Sequence, residues 1–322
     1  MADLQRQFAM RQPTNLWRDA WRRLTRNRGA ILGMIIIAFF ALLAIFAPWI
    51  VLHPPLENYP NNSYRQAAWV NLPNEPTRTG DWSFPLGTDT IGRDVLSRVI
   101  FGARTSMAVG FIPMILILLI GTSIGMIAGY FGGRVDNFLM RLTDIVYAFP
   151  DLLFFIIMIT ALRDTWIGGL LDGFVLLFVS LALVSWVTVA RLVRGQVLSV
   201  KEREFVEAAR SIGATPARIM LQHVLPNSLA VIIVAAAFLV PQSIVTEAVL
   251  GYLGIGIRPT TNPLAPFPTS WGNLLNDGRL AIDAQPWLLI APALCVALIM
   301  LAFTFIGDGL RDALDPMMKG TS

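Results

Sequence analysis

The sequence predicts an all-α membrane protein with six transmembrane helices. Three observations predict it. Of 322 residues, 55% are hydrophobic and 14% are charged, against about 25% charged in soluble domains. Six apolar runs approach the ~20 residues with which a helix crosses ~30 Å of hydrocarbon. Basic residues concentrate in alternate connections, the pattern that orients a multi-pass chain. The runs should be helices, because lipid offers the backbone no hydrogen-bond partner.

A basic tail over 1–30 precedes the first span, Ile31–Leu52 (ILGMIIIAFFALLAIFAPWIVL), which carries no charge. Its apolar stretch and its tail are both too long for a cleaved signal peptide. Residues 53–103 form an external segment rich in Pro and Asn (HPPLENYPNNSY, NLPNEPTRTG) that turns amphipathic towards its end. The second span, Thr105–Tyr130, is uncharged between Arg104 and Arg134. The third, about Asp136–Leu162, carries Arg141 and Asp144, which are spaced to pair. The fourth, Gly173–Ala190, lies between Asp172 and Arg191. A loop over 191–227 leads to the fifth span, about Ser228–Leu250. External residues 251–285 contain RPTTNPLAPFPTS, too rich in proline for regular structure. The sixth span, about Pro286–Gly307, ends a core over 104–308, and a tail over 309–322 follows.

With the amino terminus inside, the inner segments hold 17 basic residues and the outer ones 8. Both termini and the 191–227 loop are therefore expected in the cytoplasm. Trp49, Trp166, Trp271 and Trp287 lie near span ends, as interfacial tryptophans do. The net charge of +4 reads as orientation charge and lipid contact rather than nucleic-acid binding. The single cysteine, Cys295, allows no intrachain disulfide. His53 and His223 belong to no metal-ligand motif.

Residues 204–227 (EFVEAARSIGATPARIMLQHVLPN) are longer than a turn needs. Ser199 followed by Glu202 is a capping-box pattern, and Gly213 suits the position just past a helix end. The expectation is a helix over about 200–212. Phe205, Ala208, Ala209 and Ile212 would share one low apolar face, with Lys201, Glu204 and Arg210 on its other sides. Thr215 can cap a second helix with Pro216 at its first position, ending before Pro226. Such a helix–glycine–helix unit either docks into a partner or rests on its own bundle or on lipid.

The run Glu207-Ala208-Ala209, then Gly213, then Leu225-Pro226 resembles the "EAA" loop of ABC importer permeases. His223 stands where the usual pattern has Ile, as in the peptide branch of that family. Other segments are similar to the dipeptide, oligopeptide and nickel permeases: LGTDTIGRDVLSRVIFGARTS, GYFGGRVD, AFP, RLVRGQ and GDGLRDALDP. The resemblance implies a type I importer permease fold and transport of di- or oligopeptides, with nickel or another small solute as the alternative. It implies a bacterial inner-membrane location. The partners would be a second permease subunit, two ATP-binding subunits or domains, and an extracytoplasmic substrate-binding protein.

By that resemblance Phe205, Glu207, Ala208, Ala209, Arg210 and Gly213 form the coupling helix gripped by the ATPase. Ser199, Glu202, Leu225 and Pro226 support the loop. No P-loop surrounds Lys201 or Lys319, the only lysines. The chain is thus expected to be a pathway subunit and not an enzyme, with ATP and Mg held by partners and no cofactor of its own. A stand-alone channel or ion-driven carrier is the competing class, and the latter would place ionisable groups near the bilayer midplane. Few occur there. A hydrolase would need a catalytic constellation, and none can be placed at one depth. Glu247 near the outer end of the fifth span, with Asp89, Arg93 and Asp94 of GTDTIGRD, forms a candidate outer gate. The structural alternative has Asp89 capping a short helix and Asp94 pairing with Arg98. The cluster Arg191, Arg194, Lys201 and Arg203 reads as orientation charge. Asp308, Arg311, Asp312 and Asp315 read as a solvated tail.

Overall fold

The computed structural model describes residues 16–258, 260–262 and 265–314. Asp315, Lys319, the first fifteen residues and three positions of the proline-rich insertion lie outside the described residues. A short helix, α1 (Leu16–Leu24), leads into α2 (Arg28–Ile50), whose first turn is capped by Asn27 accepting from the Ala30 amide at 3.1 Å. Then come α3 (Val95–Phe131), α4 (Gly133–Tyr147), α5 (Asp151–Leu162) and α6 (Phe174–Val200). After them follow α7 (Glu204–Ser211), α8 (Pro216–Ile219), α9 (Leu225–Tyr252), α10 (Trp271–Leu280) and α11 (Trp287–Leu314).

Five of the described helical stretches are long and apolar enough to cross a membrane, and a sixth crossing arises if α4 and α5 count as one. The expectation of an unbroken third span is corrected: α4 and α5 meet at 77°. Pro150 explains the break. It has no amide hydrogen, and its ring disfavours helical backbone at Phe149. Irregular backbone at that depth persists only beside protein or a cavity.

Two spans exceed their apolar runs by ten residues, and α11 runs seven past the expected Gly307, so that Asp308, Arg311 and Asp312 lie in the helix and not in a tail. α3 begins ten residues before the expected Thr105, and α6 continues ten past Ala190. Both extensions carry arginine, and both are matched by carboxylates. Arg98 in α3 meets Asp89 and Asp277. Arg194 in α6 grips Asp136 of α4 through Nε and Nη2, at 2.5 and 2.6 Å. Asp144 pairs with Arg191 at 2.8 Å, correcting the Arg141 pairing expected from spacing.

α3 and α6 form the closest helix pair. Gly121, Gly125 and Gly129 recur at one-turn spacing on α3. A methyl added at each would fall 2.7 Å from Val189 Cβ, 2.5 Å from the Ala190 carbonyl and 2.8 Å from Val197 Cβ. Small residues of this kind let helices approach where lipid supplies no hydrophobic drive. α9 packs against α3, α6 and α11, and α2 lies against both α3 and α11. Many large apolar side chains face outward along the bundle, Ile35, Ile45, Leu119 and Ile157 among them, as lipid contact requires.

Candidate functional site

One end of the bundle carries α7. Here α6 stops at Val200, and Lys201 donates from Nζ to the Gly129 carbonyl of α3 at 3.0 Å. The chain turns over 201–203 and α7 begins. Ser199 lies inside α6, and the residue preceding α7 is Arg203, which supplies no side-chain cap. The capping-box expectation is therefore corrected: buried Val197 and Val200 keep α6 on the bundle past the point where the pattern would start a new helix. Glu202 is exposed in the turn.

The rotation of α7 is also corrected. Its inward residues are Val206 and Ala209, which pack with Val197, Val200, Ile219 and Val224. Phe205 is 43% exposed, Ile212 is 86% exposed, and Ala208, Glu207 and Arg210 face outward with them. Ala209 thus anchors the helix to its own chain, while Phe205, Ala208 and Ile212 make an outward apolar stripe. The sequence pattern placed all four together, because Ala209 lies at the border of both faces.

Gly213 ends the helix with φ +80°. Its amide donates to Arg210 at 3.0 Å and the Ala214 amide to Ala209 at 3.1 Å, the paired bonds of a left-handed cap. A side chain there would meet nothing within 4 Å, so the constraint is the backbone angle alone. Thr215 accepts from the Arg218 amide at 3.4 Å, with Pro216 at the first helical position. The second helix does not end before Pro226. One π turn, Met220–Val224, carries it into α9, with the Leu225 amide reaching Met220. The wider turn absorbs the missing proline amide. Asn227 and Ser228 side chains donate to the His223 and Val224 carbonyls at 2.6 and 2.9 Å.

The opposite end holds the candidate gate residues. Asp94 caps α3, accepting from the Leu96 and Ser97 amides at 3.2 Å each. Burial pushes its carboxyl above the ordinary value, opposed by those bonds and by His53 at 3.8 Å. Asp89 is 1% exposed and accepts from Arg93 Nε and Arg98 Nη1, both at 2.6 Å. The expected roles are thus exchanged: Asp94 caps and Asp89 pairs with Arg98. Asp277 of α10, which sequence reasoning missed, closes the cluster through Arg98 Nη2 at 2.7 Å and Arg93 Nη2 at 3.6 Å.

Glu247 is fully buried elsewhere at this end, on α9. Its oxygens make no hydrogen bond of standard geometry. The Ser270 hydroxyl and the Gly272 amide that approach it belong to the start of α10. Gly251 and Gly272 touch there: a methyl on Gly251 would stand 2.5 Å from Gly272 backbone carbons. The structure therefore joins Asp89 and Arg93 in one cluster and leaves Asp94 and Glu247 in separate contacts.

Residues 121–320 match the family described as the binding-protein-dependent transport system inner membrane component. Residues 15–73 match the N-terminal transmembrane domain of oligopeptide transport permease C. The chain is 39% identical over 302 residues to the oligopeptide transport system permease protein OppC of Haemophilus influenzae, spanning 94% of this chain and 89% of that one. It is 39% identical over 303 residues to the dipeptide transport system permease protein DppC of Alkalihalophilus pseudofirmus, spanning 94% and 90%. Among solved structures, an inward-facing MetNI methionine ABC transporter superposes with TM-score 0.54 at 19% identity, covering 68% of this chain and 97% of that one. That likeness concerns the fold.

Proposed function

The chain belongs to the family of binding-protein-dependent transport system inner membrane components, and on that premise we propose that it forms part of the path for di- or oligopeptides through an ATP-driven importer. The observation that carries this reading is the similarity to oligopeptide and dipeptide permeases along 94% of the chain. The α7 end faces the cytoplasm in this reading, in line with the basic residues of the 191–218 segment. ATP and Mg sit on two partner ATP-binding subunits or domains. A second permease subunit completes the path, and an extracytoplasmic binding protein delivers cargo to the opposite end.

The outward stripe of Phe205, Ala208 and Ile212 is the surface that the ATPase grips, with Glu207 and Arg210 as flanking charges. Val206 and Ala209 tie the same helix to the bundle, so a displacement of the ATPase moves α6 and α9 with it. Nucleotide then biases two arrangements of one bundle. The test replaces Gly213 by Val, which a φ of +80° does not accommodate, and separately Glu207 by Lys. Both chains should insert and copurify with their partners, while ATP-dependent peptide uptake falls about tenfold or more, equivalent to ~1.4 kcal/mol of coupling. Normal uptake by both variants refutes the docking role.

A further inference from the structure

A cavity of about 240 Å³ lies at the end opposite α7, between the start of α3, the end of α5, the segment after α9, and α10. Arg93, Arg98, Arg163 and Asp277 line it. Gly251 and Gly254 also line it, and a methyl on nearby Gly256 would fall 2.7 Å from the Gly251 Cα. The glycine backbones thus close one wall without side chains.

The charges around this space do not balance. Asp89 and Asp277 hold Arg93 and Arg98 between them. Two nearby ionic groups have partners of their own: Arg258 pairs with Asp164 at 2.8 Å, and Asp94 faces the first turn of α3 and His53. Arg163 has no ion pair or side-chain hydrogen bond among the described residues. The lining and the ion pairs that reach it thus hold three guanidiniums and two carboxylates, a surplus of one positive charge. Arg98 is deeply buried, its side chain 4% exposed, and its Nε has no partner. The buried Thr269 hydroxyl, also on the lining, has none either. A surplus guanidinium beside a desolvated one selects a single negative charge. Its planar fork suits a carboxylate, bound through paired N–H donors.

We infer that this cavity binds the terminal carboxylate of the peptide cargo, with Arg163 supplying the unmatched charge. The source of the carboxylate rests on the peptide reading above. A concave space of this size suits a chain end better than the acidic side chains of a docking protein face, which would meet a convex or flat surface.

The test measures equilibrium binding of radiolabelled trialanine and trialanine amide to the intact transporter in nanodiscs, with the binding protein left out. Trialanine should bind at least about tenfold tighter than the amide, the scale of a lost charge-assisted pair. Arg163→Gln should bring trialanine down to the level of the amide and leave the amide unchanged, while Arg163→Lys should restore part of the difference. Copurification of the partner subunits verifies assembly of each variant. Equal binding of acid and amide by the unaltered protein would overturn the inference. So would an Arg163→Gln variant that keeps the preference for the acid over the amide. ATP-driven uptake of trialanine in proteoliposomes is scored separately. If uptake proceeds without carboxylate preference, only the cavity assignment falls; if no peptide is taken up, the transport reading itself falls.

Discussion

At the α7 end, Phe205, Ala208 and Ile212 point outward from a helix of eight residues. At the other end, Asp89 and Arg98 are almost wholly buried, and each meets at least two partners. The first region leaves its best apolar surface open. The second has withdrawn its charges from solvent and bound them to one another. A helix that short is marginal on its own, and its inward hold is Val206 and Ala209 alone. In the reading proposed above, that surface is completed by the ATP-binding partner. The buried cluster is completed within the chain, except for one guanidinium.

The sharpest way to break this contrast is to remove Arg98. Arg98→Met leaves Asp89 buried with only Arg93 beside it, and loss of one partner of a buried pair costs about 3–5 kcal/mol. The purified transporter should lose thermal stability by that order, and adding Asp89→Asn should return part of it. An Arg98→Met protein that melts like the parent would show that the cluster is not what holds this end together. A smaller loss is expected for Gly251→Ala, whose methyl would press on the Gly272 backbone at 2.5 Å. Overpacking of this kind costs about 1–3 kcal/mol, read as a lower melting temperature.

The α7 end should respond in the opposite manner. Phe205→Ala and Ile212→Ala should change the stability of the bundle by no more than about 0.5 kcal/mol. They should weaken binding of the ATP-binding partner by about 1–2 kcal/mol each, as truncated interface anchors do. Titration of the partner against the reconstituted permease measures this, and undiminished affinity would place the interface elsewhere.

The finest distinction concerns Asp94. Asp94→Ala should cost about 1 kcal/mol through the lost cap, and Asp94→Asn close to nothing. Burial raises the carboxyl of Asp94 in the folded chain. Its protonated form is therefore favoured by folding. The stabilisation is complete below the ordinary carboxylate value, about 4, and is lost as pH rises through the raised one. Unfolding curves across that window should show the parent losing stability relative to Asp94→Asn.

Local signals carried much of the α7 region into view. Gly213 at a helix end and Thr215-Pro216 at a helix start act through neighbouring backbone, and the structure has both. The phase of α7 was not legible, because a stripe of Phe205, Ala208 and Ile212 and one of Val206 and Ala209 are both apolar. Only contact with Ile219 and Val224 decides which faces inward. Ser199 and Glu202 misled for a related reason, since tertiary packing of Val197 and Val200 extends α6 through the local start signal. The ionic cluster was visible only in part. Asp89, Arg93 and Arg98 are close in sequence, but Asp277 arrives 179 residues after Arg98 and no spacing rule reaches it. The six-span count followed from apolar length. The bend within the third followed from Pro150, whose effect on the preceding residue is local and could have been read.

The glycine seam of α3 has a mechanical consequence. Two rods that leave no room for a methyl between them have no slack in which to shear. Lys201, at the foot of α6, is bonded to the last glycine of that seam. Under the coupling role proposed for α7, a push there passes through Val206 and Ala209 into a double-thickness beam, and the elbow at Pro150 is the joint left to yield.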